Sequence, residues 1–126
     1  MDAEEIIKII IEEAIYIDKK IGPGMLENVY KQCLAYRLRK RGLKVEMEKP
    51  VPVFFEEIRM DCGYRADIVV EEKVIVDTKC IVAICDLEIA QLLTYLRFLS
   101  IRHGIILNFK TTLMKNGIRR VLNGFD

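Results

Sequence analysis

The chain has no tryptophan, one histidine, and neither a glycine-rich phosphate loop nor a close cysteine pair. Each lack removes a class of chemistry. Four cysteines, Cys33, Cys62, Cys80 and Cys85, show no C-x-x-C spacing, and with only His103 beside them a structural zinc site has few ligands to draw on. The thiols therefore read as reduced and mostly packed, in keeping with a reducing compartment. Ser100 and His103 share a helical spacing, yet no acid is placed to orient the imidazole and no nucleophile elbow surrounds the serine. Gly22-Pro23-Gly24 lacks the preceding strand and following lysine of a phosphate loop. Long apolar runs are missing too: Ile6 to Ile17 is interrupted by Lys8, Glu12 and Glu13 and preceded by acidic residues, so neither a signal peptide nor a membrane span is expected, and a cytoplasmic location is. The formal charge of +1 as a total says little about partners. Its placement says more: basic residues gather from Lys31 to Lys44 and again from Lys110 to Arg120, either as a nucleic-acid patch or as solvated faces.

What is present suits a packed core. At 126 residues and 52% hydrophobic, the chain is the size of one compact domain, taken to span residues 1–126. Helical spacing of Ile6, Ile7, Ile10, Ala14, Ile17 and Ile21 predicts a first helix over about 2–20, and Gly22-Pro23-Gly24 stops it. A second helix is predicted over about 25–40, with Gly42 as terminator. The period then becomes alternating, which predicts strands over 43–55, 58–70 and 74–84, joined by turns at Glu56-Glu57 and Glu71-Glu72-Lys73. Pro50 and Pro52 put the first strand at a sheet edge. A third helix over about 87–100, a buried strand over 104–109 and a short strand over 118–122 complete an α/β chain.

The stretch Gly63 to Lys79 carries charge where burial is otherwise the rule. Asp77 and Lys79 sit two apart in a β-branched run and so project from one strand face, and Asp67 lies on the preceding strand. Such ions cost several kcal/mol each, on the order given by buried charge pairs, unless they pair or bind a metal. The pattern suits a magnesium site: Asp67, Asp77 and the main-chain carbonyl of Thr78 as hard oxygen ligands, and Lys79 beside the attacking water and a phosphate. A buried Asp–Lys pair that only shapes the sheet is the plain alternative. Gln91 and Tyr95, one helical turn apart, project together toward a phosphate or base, or form a buried polar pair. Lys31 and Arg65 are left between a phosphate contact and an ordinary surface role.

The order of elements, with Asp67 and Asp77-Thr78-Lys79 on successive strands, resembles the PD-(D/E)XK nuclease superfamily and its restriction-endonuclease-like fold. More narrowly, Gly24-Met25-Leu26-Glu27-Asn28-Val29-Tyr30 is similar to the signature of the GxxExxY family within it, and Gln91 to Tyr95 is similar to the Q-x-x-x-Y element of RecB-type and lambda-exonuclease-type nucleases. The resemblance covers roughly Ile21 to Leu122. It implies a mixed sheet of about four to five strands flanked by helices, and a catalytic set of Asp67, Asp77, Lys79 and Glu27. It further implies Mg2+ (or Mn2+ in its place) held by Asp67, Asp77, Thr78 and, directly or through water, Glu27. For Tyr30, on the same helix face as Glu27, packing and a substrate contact both stand; the substrate contacts expected are Gln91, Tyr95 and Tyr30. Two positions depart from the pattern: Asp77 where glutamate is common, and Glu88 where relatives tend to have histidine three before the glutamine. The function expected is metal-dependent hydrolysis of nucleic acid, DNA ahead of RNA. Its alternative is a catalytically idle module binding nucleic acid or protein, and a third reading is a structural assembly subunit. The isoleucine-rich first helix is a candidate homodimer face, or a cover for the sheet.

Overall fold

The computed structural model describes residues 1–124. Helix α1 (Ala3–Ile21) begins where Asp2 caps it, the carboxylate accepting the Glu5 N–H at 2.9 Å. Helix α2 (Glu27–Lys40) carries Arg37, Arg39 and Lys40 in its last turn, where the helix dipole favours cations, and Gly42 follows its cap residue Arg41 at φ 86°. The isoleucines of α1 cover the sheet: Ile6, Ile7, Ile10 and Ile17 are buried. At about 1.5–3 kcal/mol per fully buried side chain, that stripe rather than intrinsic propensity holds the helix in place.

The three long strands expected over 43–84 are five shorter ones: β1 (Val45–Pro50), β2 (Val53–Phe55), β3 (Ile58–Met60), β4 (Arg65–Val70) and β5 (Val74–Lys79). Each break has a local cause. Pro50 and Pro52 lack the N–H that a continued ladder needs, so the chain leaves the sheet after β1 and pairs β2 with β3 in a separate hairpin. Asp61 accepts the Gly63 N–H at 3.1 Å, and Gly63 at φ 82° completes a turn that parts β3 from β4. After Lys79 the side chain of Asn108 takes over the backbone of Ile81, accepting its N–H at 3.1 Å and donating to its carbonyl at 2.9 Å, which ends β5.

Helix α3 (Asp86–Leu99), strand β6 (His103–Asn108), a 3-10 turn at Met114–Gly117 and strand β7 (Ile118–Leu122) follow. The main sheet has five strands in the order β1-β4-β5-β6-β7, and β1 is at its edge as its prolines demand. Only β5 and β6 run parallel, with α3 as the crossover between them. One face packs Ile68, Val70, Val74, Val76, Ile105 and Leu107 against α1 and α2; the other packs Ala66, Val69, Ile75 and Ile106 against Leu92 and Leu96 of α3. This α/β arrangement, a five-stranded mixed sheet between helices, is the restriction-endonuclease-like fold expected. Among the described residues no helix is long and apolar enough to cross a membrane.

Candidate active site

The β4–β5 ladder pairs Val70 with Val74, Val69 with Ile75 and Ile68 with Val76, and there it ends. One step further on, Asp67 and Asp77 face each other. Asp67 is unpaired on its other side as well: the β1–β4 register skips it and its opposite, Glu48, whose backbone turns left-handed at φ 53°. The facing of the strand slips at the same point. Strict alternation would place Ala66 and Ile68 on one face, yet Ala66 shares the α3 face with Val69 while Ile68 lies on the α1–α2 face. The sheet is thus opened around a single carboxylate.

Into that opening the side chains converge. Asp67 Oδ2 accepts from the Thr78 N–H at 3.0 Å and from the Thr78 hydroxyl at 3.2 Å, replacing the ladder bond a paired strand would make. A strand residue points its N–H and C=O the same way, so the Thr78 carbonyl also faces this gap. Lys79 Nζ lies 3.5 Å from Asp77 Oδ1, and Lys31 Nζ, which also binds Glu48, lies 3.8 Å from Asp67 Oδ1. Lys31 is one helical turn from Glu27; that i, i+4 spacing was the sequence signal for its place here.

The charge balance is uneven. Burial pushes Asp77 up to about 7; Lys79 opposes the shift, while Asp67, hydrogen-bonded to it, adds to it. Burial alone would lower the Lys79 ammonium, but the carboxylates of Asp77, Glu27 and Asp67 outweigh it and hold Lys79 above its ordinary range. Glu27 is raised, first by burial and then by Asp67, and it accepts the Cys80 N–H. Burial and the Glu27 charge in turn raise the Cys80 thiol. Two oxygen-bearing side chains crowded together, one kept from ionising freely, are the donor chemistry that a hard divalent cation relieves. Asp67, Asp77 and the Thr78 carbonyl fit such an ion. Among the described residues no three His, Cys, Asp or Glu side chains form a group that could hold a metal.

On the other side, Gln91 donates its amide to the Tyr95 hydroxyl at 3.2 Å. Burial raises the Tyr95 phenol and the charge on Asp77 raises it further, which ties this helical pair to the carboxylates. Glu88, in the position of the missing histidine, is engaged at the start of α3: one oxygen accepts the Cys85 N–H at 3.4 Å and the other the Cys85 thiol at 2.9 Å. The residue caps a helix.

Tyr30 requires correction as a substrate contact. It is fully buried, its ring stacked on Phe109 with centroids 4.4 Å apart. Its hydroxyl donates to the Gly22 carbonyl at 2.5 Å and accepts the Met25 N–H at 3.1 Å. The packing alternative therefore holds, and it explains the spacing of glycine, glutamate and tyrosine. Gly24, at φ 112°, lets the chain turn; Tyr30 ties that turn down from inside; Glu27 is presented at the helix start beside β5. Arg65 instead pairs with Asp61 at 3.5 Å and stays at the surface.

Residues 4–121 match the family model of the PD-(D/E)XK nuclease superfamily, and the chain belongs to that superfamily. Its members are generally divalent-metal dependent and act on nucleic acid. Neither a curated protein nor a solved structure matches the chain.

Proposed function

We propose that this domain, residues 1–126, is a magnesium-dependent nuclease that hydrolyses phosphodiester bonds of DNA in the cytoplasm, and that it belongs to the GxxExxY branch of its superfamily. The observation that carries the reading is the facing of Asp67 and Asp77 at the open end of the β4–β5 ladder with the Lys79 ammonium 3.5 Å away. A phosphodiester is an anion, so hydrolysis needs charge neutralised on the scissile phosphate, a positioned water and support for the leaving oxygen. Asp67, Asp77 and the Thr78 carbonyl would hold the ion, with Glu27 reaching it through water; Mg2+, or Mn2+ in its stead, would supply Lewis acidity and a more acidic water.

The protein's own groups supply the remainder. Lys79, whose charged form the nearby carboxylates favour, serves as a cation for the phosphate and the developing charge. Thr78 fixes Asp67 by two hydrogen bonds, which keeps its other oxygen directed at the gap. Lys31 balances Asp67 from the α2 side. Gln91 and Tyr95 contact the strand on the α3 side.

The test is cleavage of labelled single-stranded and duplex DNA, with RNA alongside, in magnesium, in manganese and in chelator. Cleavage is expected in either metal and absent in chelator, and Asp67→Asn and Lys79→Ala are each expected to lower it at least 100-fold, about the effect of removing one transition-state contact. A salt-sensitive gel shift with no cleavage in either metal would replace this reading with the idle binding module.

A further inference from the structure

A groove of about 450 Å³ lies between the β2–β3 hairpin and the outer face of α3, and Tyr95 in its wall feels the charge of Asp77. Its floor and walls include Val51, Val53, Tyr64, Gln91, Tyr95 and Phe98. The helix residues that face it lie on the side of α3 opposite Leu92 and Leu96, the two that bury into the sheet, so this is a second face of the same helix. The volume is in the range of small-ligand sites, about 300–1,000 Å³.

Three features define an occupant. The groove is aromatic: Tyr64 and Tyr95 meet at 6.0 Å and 58°, and Phe98 is backed by Phe54 at 6.2 Å. Its polar groups are few: the Gln91 amide bonded to the Tyr95 hydroxyl, the Tyr64 hydroxyl, and the Thr94 hydroxyl, which is spent on the Ala90 carbonyl; of these Tyr95 feels the charge of Asp77. Behind Phe98, beyond the lining itself, the Arg59 guanidinium stands 5.9 Å from the centre of the Phe54 ring. A ligand that puts a phosphate by Lys79, a flat aromatic ring between Tyr64 and Phe98 and a further anion toward Arg59 is a nucleotide strand with its base exposed. Paired bases do not fit this description, because both faces of each are covered by stacked neighbours; unpaired bases offer a face to an aromatic side chain.

We infer that the Tyr64–Phe98 groove is a stacking subsite for an unpaired base, so that the substrate is single-stranded nucleic acid or a frayed end. The inference rests on the nuclease reading for the position of the phosphate and goes beyond it in naming the form of strand. Tyr64 is half exposed and stands outside both hydrophobic cores, so its substitution leaves the fold intact.

The experiment is fluorescence anisotropy in calcium with a thymidine oligonucleotide, its abasic counterpart of equal length and a blunt duplex. The single strand is expected to bind at least tenfold more tightly than the abasic strand or the duplex, in line with the stacking strength of one base. Tyr64→Ala is expected to weaken the thymidine strand about tenfold and leave the abasic strand unchanged, while Tyr64→Phe keeps wild-type affinity. Equal loss on both strands, no loss on either, or duplex binding as tight as single-strand binding overturns the inference. Base-dependent binding that persists alongside a failure to cleave in magnesium or manganese would retain the subsite and overturn the nuclease reading alone.

Discussion

Glu13 and Asp77 are both carboxylates largely removed from water, and their surroundings drive them in opposite directions. Burial would raise Glu13, but Arg37 at 2.7 Å and Arg41 at 2.8 Å each give it a hydrogen bond and together hold it below its ordinary value. Asp77, partly buried, has one lysine at 3.5 Å and a second carboxyl beside it, and it rises to about 7. The first site is balanced within the chain and joins α1 to α2. The second is left in want of positive charge, which is a defect in a structural pair and a requirement in a site that must accept a cation and a phosphate anion in turn.

Asp77→Asn gives the largest contrast: cleavage should fall by about 10³-fold as one charged contact to the transition state is lost, with unchanged circular dichroism. Glu13→Gln should leave the metal dependence of cleavage untouched and cost about 2 kcal/mol in urea unfolding, because two arginines lose a buried partner. The sign of its pH dependence follows from the lowered native value. The stabilisation is present above the ordinary 4.5 and is lost as pH falls through the native value, so wild-type and Glu13→Gln curves should converge in acid. Asp77→Asn has a stability effect of opposite sign: in chelator it should gain about 1 kcal/mol, since crowding of like charges is relieved, and a loss of stability there would break the contrast. The smallest effect belongs to an exposed carboxylate. Glu71 and Glu72, at φ 53° and 56°, lie with Lys73 in the three-residue β4–β5 turn, so Glu72→Gly should shift thermal unfolding only slightly, relief of the left-handed backbone offsetting loss of the ion pair with Lys44, without altering cleavage.

The convergence of Asp67, Asp77 and Lys79 was legible because it depends on short-range rules: a period of two and a tight turn suffice to bring three residues of adjacent strands together. The same rules placed all three helices and the edge position of β1. They failed where a side chain from elsewhere decides the backbone. Nothing near Ile81 announces that Asn108 will take its hydrogen bonds, and without that knowledge the alternating pattern runs on to Ile84. Tyr30 was ambiguous for a similar reason: its helix face was readable, but Phe109 and the Gly22 carbonyl, which decide its role, are remote in sequence or lie across a turn. The groove was invisible, since Val53 of β2, Tyr64 of the β3–β4 connection and Phe98 of α3 are brought together only by the Pro50–Pro52 break.

Because β6 lies parallel to β5, the chain that leaves Lys79 must travel back along the sheet before it can re-enter, and α3 makes that journey. Its first turns therefore hang beside the strand tip whatever their composition. The span from Cys80 to Cys85 works as a spacer with an adjustable length: one residue more or less would slide Gln91 and Tyr95 along the carboxylates while every reactive group kept its identity. Related chains with the same charges but a different spacer would thus differ in which part of a bound strand they grip, a change of reach with no change of chemistry.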